Sequence, residues 1–182
     1  MTTYIALLRG VNVGGNQMIA MAELRALLET LGLFDVKSVL QSGNVIFGAA
    51  GTSSRALETR LEREVASRLG LTADIHVRTA AEWRAIVEGN PFPGEATRDP
   101  GRLLVSVFKA PLIASNVSVL QAAITGREVL KADGRHLYMV FPDGFGNSKT
   151  ARLIDKTLGA KGTARNWNTV VKLHALTQKI SR

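Results

Sequence analysis

The chain has 182 residues, 46% hydrophobic and 21% charged, with a net charge of +8, enough for one compact domain or two small ones. No apolar run reaches the roughly 18 residues of a membrane span, and the opening "MTTYIALLRG" lacks the basic stretch of a signal peptide. With no cysteine, disulfides, thiolate nucleophiles and Cys-based zinc sites are excluded, and the expectation is a cytoplasmic chain with no membrane partner.

"YIALLRG" reads as a buried strand, and "MAELRALLETLG" as a helix with Met21, Leu24, Leu27, Leu28 and Leu31 on one side, stopped at Gly32. "VKSVLQSGNVIF" is two short strands around Ser42-Gly43-Asn44, a hairpin pattern. "SSRALETRLEREVASRLG" is a second helix, with Leu57, Leu61, Val65 and Leu69 at steps of four. "ADIHV" is a strand, and Thr79 with Glu82 has the spacing of a capping box for the helix "AAEWRAIVEG".

"NPFPGEATRDPG" holds three of the five prolines and reads as a linker. The order then repeats. "RLLVSVF" is a strand, "SNVSVLQAAITG" a helix for Ser115 to cap, and "EVLKADGRHLYMVF" a hairpin turning at Asp133-Gly134. "SKTARLIDKTLG" is a helix ended by Gly159, "KGTAR" a short strand, and "WNTVVKLHALTQ" a closing helix with Val170, Leu173, Leu176 and Ile180 as its buried stripe. In both halves an Arg–polar pair, Arg78-Thr79 and Arg165-Asn166, precedes the last helix. The expected fold class is α+β: two ferredoxin-like (split βαβ) units in tandem, with mixed or antiparallel sheets and helices on one face. The expected divisions are an N-terminal unit over 1–90, a linker over 91–101, and a C-terminal unit over 102–182 with a basic closing helix; one continuous sheet is the alternative.

Charge is spread unevenly along the sequence. Residues 1–90 are neutral overall and 91–146 carry +1, whereas 147–182 hold eight Lys/Arg against Asp155 alone. Such asymmetry points toward a polyanionic partner, with a solvated face as the plainer reading. Lys149, Arg152 and Lys156, spaced i, i+3, i+7, share one helix face, while Ala151, Ile154 and Leu158 share another. With Lys172 they form the expected basic patch, fit for the phosphates of nucleic acid if the two helices adjoin.

Two loops invite a ligand. Gly10–Asn16 carries three glycines but not the Gly-x-Gly-x-x-Gly spacing of a dinucleotide loop, and its helix begins only near Met21. A loop of about ten residues is often functional; a glycine-rich turn satisfied by its own amides is the even alternative. "PDGFGNSKT" follows a strand and precedes a helix, but Asp143 and Ser148 stand where a phosphate loop needs glycine, which excludes nucleotide hydrolysis there. A helix capped by Ser148 or Asn147 with Lys149 beside it is the remaining reading. The histidines His76, His136 and His174 have no ligand spacing, no metal or cofactor is expected, and no nucleophile elbow appears. Glu58, Glu62 and Glu64 read as a solvated face, and Trp83 and Trp167 as core or interface anchors.

"LLRGVNVGGNQMIAMAELRALLETLG", "LQSGNVIF" and "ARNWNTVVKL" together resemble the domain of unknown function (DUF) 1697 family, in the same order over nearly the whole chain, and "PDGFGNSK" resembles that family's Pro-Asp-Gly segment. The resemblance implies a mostly bacterial, intracellular α+β protein of ferredoxin-like character with no assigned activity and hence no catalytic residues to carry over. It implies a pattern of polar positions at Arg9, Asn12, Gly14, Gly15, Gln41, Ser42, Gly43, Asn44, Arg165, Asn166, Trp167 and Asn168. The loop after the first strand and the turn before the third are expected at opposite ends of the sheet unless the loop folds back. The further expectation is that Arg9, Asn12, Gln41, Asn44 and Arg165 line one anion-accepting groove.

Three functions stay open at this point. The first is a protein binding phosphate-bearing ligands or nucleic acid through the basic C-terminal surface. The second is an enzyme on a small phosphorylated or carboxylated substrate at Gly10–Asn16. The third is a non-catalytic module pairing through a sheet edge.

Overall fold

The computed structural model describes residues 1–13 and 18–180. The chain runs β1 (Thr2–Leu8), α1 (Met21–Thr30), β2 (Phe34–Val39), β3 (Asn44–Ala49), α2 (Ser54–Leu69), β4 (Ile75–Thr79) and α3 (Ala80–Glu88). It continues with α4 (Pro93–Arg98), β5 (Leu103–Val107), α5 (Ala114–Ala122), β6 (Val129–Asp133) and β7 (His136–Val140). Two 3₁₀ turns, Phe145–Asn147 and Thr150–Leu153, lead into α6 (Ile154–Leu158), β8 (Thr163–Asn166) and α7 (Trp167–Ile180).

The strands form two four-stranded sheets in the orders β2-β3-β1-β4 and β6-β7-β5-β8, every neighbouring pair antiparallel. This is the split βαβ arrangement twice over: the chain is α+β, with tandem ferredoxin-like units. Two compact units emerge, Met1–Ala85 with Lys172–Arg182, and Ile86–Val171, so α7 starts in the second and ends in the first.

In the first unit Tyr4, Ala6 and Leu8 of β1, with Val45, Phe47 and Ala49 of β3, pack against Leu24 and Leu28 of α1 and Leu57, Leu61 and Val65 of α2. Alternation in the strands meets a four-residue step in the helices, so one face of the sheet holds both helices. The second unit repeats this: Leu104, Leu137, Met139 and Phe141 pack with Val117 and Leu120 of α5 and Ile154 and Leu158 of α6. The central strands β3 and β5 are buried at every position, so the opposite faces of both sheets are covered as well.

Three glutamates close the outer edge of β4. Glu62 accepts the Ile75 N–H at 2.8 Å, Glu58 the Val77 N–H at 2.9 Å, and Glu82 the Thr79 N–H at 2.7 Å. Glu58 and Glu62 are one helical turn apart, about 6 Å along the axis, close to the roughly 6.7 Å between alternate strand residues. One helix face therefore matches the outward N–H groups of the strand. The expectation of a solvated face fails for Glu58, which is 3% exposed and sits 3.7 Å from Arg78. Glu82 completes the expected capping box, accepting from Thr79 while Thr79 Oγ1 accepts the Glu82 N–H at 3.1 Å.

Three local expectations are corrected. The proline-rich stretch contains α4, with Pro93 in its first turn, Glu95 early and Arg98 late; the Arg98–Glu95 pair at 2.9 Å supports it. α5 starts at Ala114 after Ile113 with no side-chain cap, so Ser115 lies inside the helix. The expected helix over 148–159 is split between a 3₁₀ turn and α6, although Gly159 does end it at φ 65°.

Removing the Glu58 carboxylate by Glu58→Ala leaves the Val77 N–H without its acceptor and should cost at least about 1–3 kcal/mol in chemical denaturation. Burial, and secondly Asp133, push the Tyr138 hydroxyl up to about 12, and it donates to the Ile86 carbonyl at 2.7 Å. A raised value favours the neutral phenol in the fold, so this stabilisation is complete below the ordinary value near pH 10 and is lost as pH rises toward about 12. Alkaline unfolding curves of Tyr138→Phe should lack that component.

Candidate functional site

Two polar regions stand out, one in each unit. In the first, β1 and β3 pair with Leu7 opposite Asn44, so the end of β1 lies beside the start of β3. The expectation that the two loops sit at opposite ends is thus wrong: an antiparallel neighbour begins where its partner stops. Leu8 N–H donates to the Gly43 carbonyl at 2.8 Å, and Arg9 N–H to the Asp74 carbonyl at 2.9 Å. Asn12, at φ 55°, donates Nδ2 to the carbonyls of Ile19 (3.0 Å) and Gln41 (2.7 Å) and accepts the Ile19 N–H at 2.8 Å. Asparagine tolerates this left-handed backbone, and its amide stands in for a strand partner. Asn44, fully buried, donates to the Val39 carbonyl at 2.9 Å and to Ser42 Oγ at 3.0 Å, closing the turn. Gly43 is required there: its φ is 70°, and a Cβ would stand 2.9 Å from Leu8 Cβ.

Arg9, Asn12, Gln41, Ser42 and Asn44 therefore do gather at one end of the first sheet. Asn12 and Asn44 serve the backbone, which holds the loop to the turn. Gly14 and Gly15, with Asn16 and Gln17, lie outside the described residues. Arg165, Asn166 and Trp167 belong to the second unit. Arg165 is partly buried, donates to the Ala164 carbonyl at 2.9 Å and to Thr163 Oγ1 at 3.0 Å, and loss of water pushes its guanidinium down to about 10, still charged at neutral pH. Arg78 makes the same contact with its preceding carbonyl, at 2.8 Å. Asn166 Oδ1 accepts the Thr169 N–H at 3.0 Å and so caps α7, and Trp167 is buried.

The second region is a cleft of about 210 Å³ in the second unit, between the chain before β6 and the Pro142–Lys149 segment. Val129 pairs with Val140, so β6 begins where β7 ends, which brings the two segments together. Thr125, Gly126 and Glu128 line one side, and Asp143, Asn147 and Lys149 the other. Ser148 is buried; its hydroxyl donates to Glu128 Oε1 at 2.5 Å and accepts the Ala151 N–H at 3.2 Å, capping the following turn. Glu128 Oε2 is shielded from solvent and has no hydrogen-bond partner. Arg127 clasps Asp143 through Nε and Nη2 of one guanidinium edge, and that guanidinium, beside Asp143, holds its carboxyl below the usual carboxylate range.

Sequence reasoning placed Asp143, Asn147, Ser148 and Lys149 but missed Arg127 and Glu128, whose partners lie 16 and 20 residues away with no local pattern to announce them. Lys149, Arg152 and Lys156 are exposed and make no ion pair among the described residues. Three-residue steps eclipse in a 3₁₀ turn and four-residue steps stack in an α-helix, so the one-sided spacing expected of the three is compatible with the split. Lys172 is exposed on the part of α7 that belongs to the first unit. No group of residues suited to a metal ion occurs among the described residues.

The family model for a protein of unknown function, DUF1697, matches residues 1–138. The chain belongs to the DUF1697 family. The family match thus takes in Met1–Ala85 of the first unit and ends within β7, before the Pro142–Lys149 segment and the part of α7 that belongs to the first unit. Among solved structures, the chain is similar to the conserved bacterial protein SP0830 from Streptococcus pneumoniae, with a TM-score of 0.72 and 24% identity over 96% of this chain and 97% of that one. That likeness is one of fold. No curated protein matches the chain. No helix among the described residues is long and apolar enough to cross a membrane.

Asn12→Asp keeps an acceptor for the Ile19 N–H but sets an anionic oxygen against the Ile19 and Gln41 carbonyls. It should destabilise the first unit by about 1–3 kcal/mol, read as a lower denaturation midpoint with faster amide exchange at Ile19.

Proposed function

We propose that this DUF1697 protein binds phosphate-bearing ligands through Lys149, Arg152 and Lys156 of its second unit. The observation that carries the reading is three exposed cations within eight residues, without ion-pair partners among the described residues. Unpaired neighbouring cations repel one another, and a phosphate relieves that repulsion while releasing counterions.

Folding changes how the sequence charge should be read. The first unit, with the end of α7, holds 12 Lys/Arg and eight Asp/Glu, and the second holds 11 and seven, so each carries +4. The excess over 147–182 is shared between the units, and the basic segment Lys149–Lys156 is what stays together. A small phosphorylated ligand fits such a compact set, and nucleic acid is the extended form of the same chemistry. The other readings have less to build on: Asn12 already holds backbone groups in the Gly10–Asn16 loop, and glutamates occupy the β4 edge.

Salt separates the two forms of ligand. Binding of a short duplex through these three cations should weaken with a log–log slope of about −3, at roughly −0.9 per phosphate neutralised, and a small phosphate should respond less. Replacing Lys149, Arg152 and Lys156 with Gln should abolish both interactions in calorimetry. Unchanged binding in the triple variant would sink the proposal.

A further inference from the structure

The cleft beside Lys149 has chemistry that a bare phosphate does not use. Glu128 lines it, with Oε1 held by Ser148 and Oε2 shielded and without a hydrogen-bond partner. A shielded carboxylate oxygen without a donor is costly to maintain, and the terminal torsion of Glu is soft enough for a small rotation to present that oxygen to an incoming group. Gly126 and Gly144 both line the cleft. A Cβ on Gly126 would stand 2.3 Å from Glu128 Oε2, so the carboxylate keeps its seat only because Gly126 has no side chain. At the rim the other charges are already matched: Arg127 holds Asp143, and the Arg102 side chain crosses Gly144 and pairs with Asp99 at 3.8 Å. Two charges of opposite sign are left to meet a ligand, the Lys149 ammonium and the Glu128 carboxylate, with Asn147 also lining the cleft.

Resting on the phosphate-binding reading above, we infer that the cleft takes a small phosphorylated polyol, its phosphate at Lys149 and its hydroxyls donating to Glu128. Size narrows the class. The cleft holds about 210 Å³, below the roughly 300–1,000 Å³ of pockets for drug-sized ligands. At roughly 30 Å³ per water it has the volume of about seven waters, which suits one sugar ring with its phosphate. A hydroxyl donating to a carboxylate makes a charge-assisted bond, about twice as strong as a neutral one, so Glu128 separates polyol phosphates from phosphate itself.

The test uses the full chain, with isothermal calorimetry and ligand-induced thermal shift for inorganic phosphate, ribose 5-phosphate and adenosine 5′-monophosphate. Ribose 5-phosphate should bind at least about tenfold more tightly than inorganic phosphate, the ratio expected when one charge-assisted bond is added. Adenosine 5′-monophosphate should bind no more tightly than ribose 5-phosphate. Glu128→Gln keeps the shape and an acceptor for Ser148, and Gly126→Ala displaces the carboxylate; both should remove the preference for ribose 5-phosphate, leave phosphate binding intact, and melt near the parent temperature without ligand. Equal affinity for phosphate and ribose 5-phosphate, a preference surviving in both variants, or a gain from the base would overturn the polyol class while leaving the phosphate reading in place. No binding of either phosphate or ribose 5-phosphate would end both.

Discussion

Antiparallel pairing between the first and third strands of each unit decides which loops can meet. In the first unit it sets Leu7 against Asn44, so the chain leaving β1 and the turn entering β3 share one end of the sheet. In the second, β7 ends where β6 begins and beside the start of β5, with the Phe141 N–H donating to the Arg102 carbonyl at 2.9 Å. The amide-rich loop follows from that pairing and the cleft from the antiparallel β6–β7 pair, at different ends of two similar sheets.

The two polar regions nevertheless use their side chains differently. Asn12 and Asn44 point their amides at carbonyls of their own unit, and the result is a fixed edge with little donor capacity left over. Around the cleft, Arg127 and Asp143 satisfy each other, while Lys149 and one oxygen of Glu128 do not find partners among the described residues. Polar groups that resemble one another in sequence thus divide into those satisfied within the fold and those left without a partner among the described residues, and hydrogen-bond partners make the division.

Much of the fold was legible because its signals are local. Leu24, Leu27 and Leu28 mark the inner face of α1, Gly134 the hairpin, and Thr79 with Glu82 the start of α3; each depends on residues a few positions apart. What escaped depends on distant partners. Glu58 looks like any surface glutamate until β4 lies alongside α2, and Glu128 has no meaning without Ser148. α4 was hidden for another reason: proline ends helices but also begins them, and Pro93 does the second. The break within 148–159 was invisible because apolar spacings of three and four suit a 3₁₀ turn and an α-helix alike over so short a stretch. As for the candidate site, Lys149 and Asp143 could be named from their segment, whereas the opposite wall at Gly126 and Glu128 could not.

The helix α7 crosses from one compact unit to the other, and its last residues, from Lys172, belong with Met1–Ala85. On a ribosome the opening strands and helices emerge first, yet the part of α7 grouped with them is synthesised only after the whole second unit. Contacts between that part of α7 and the first unit therefore form only after the second unit has been made, and a nascent chain stalled within the second unit would lack them.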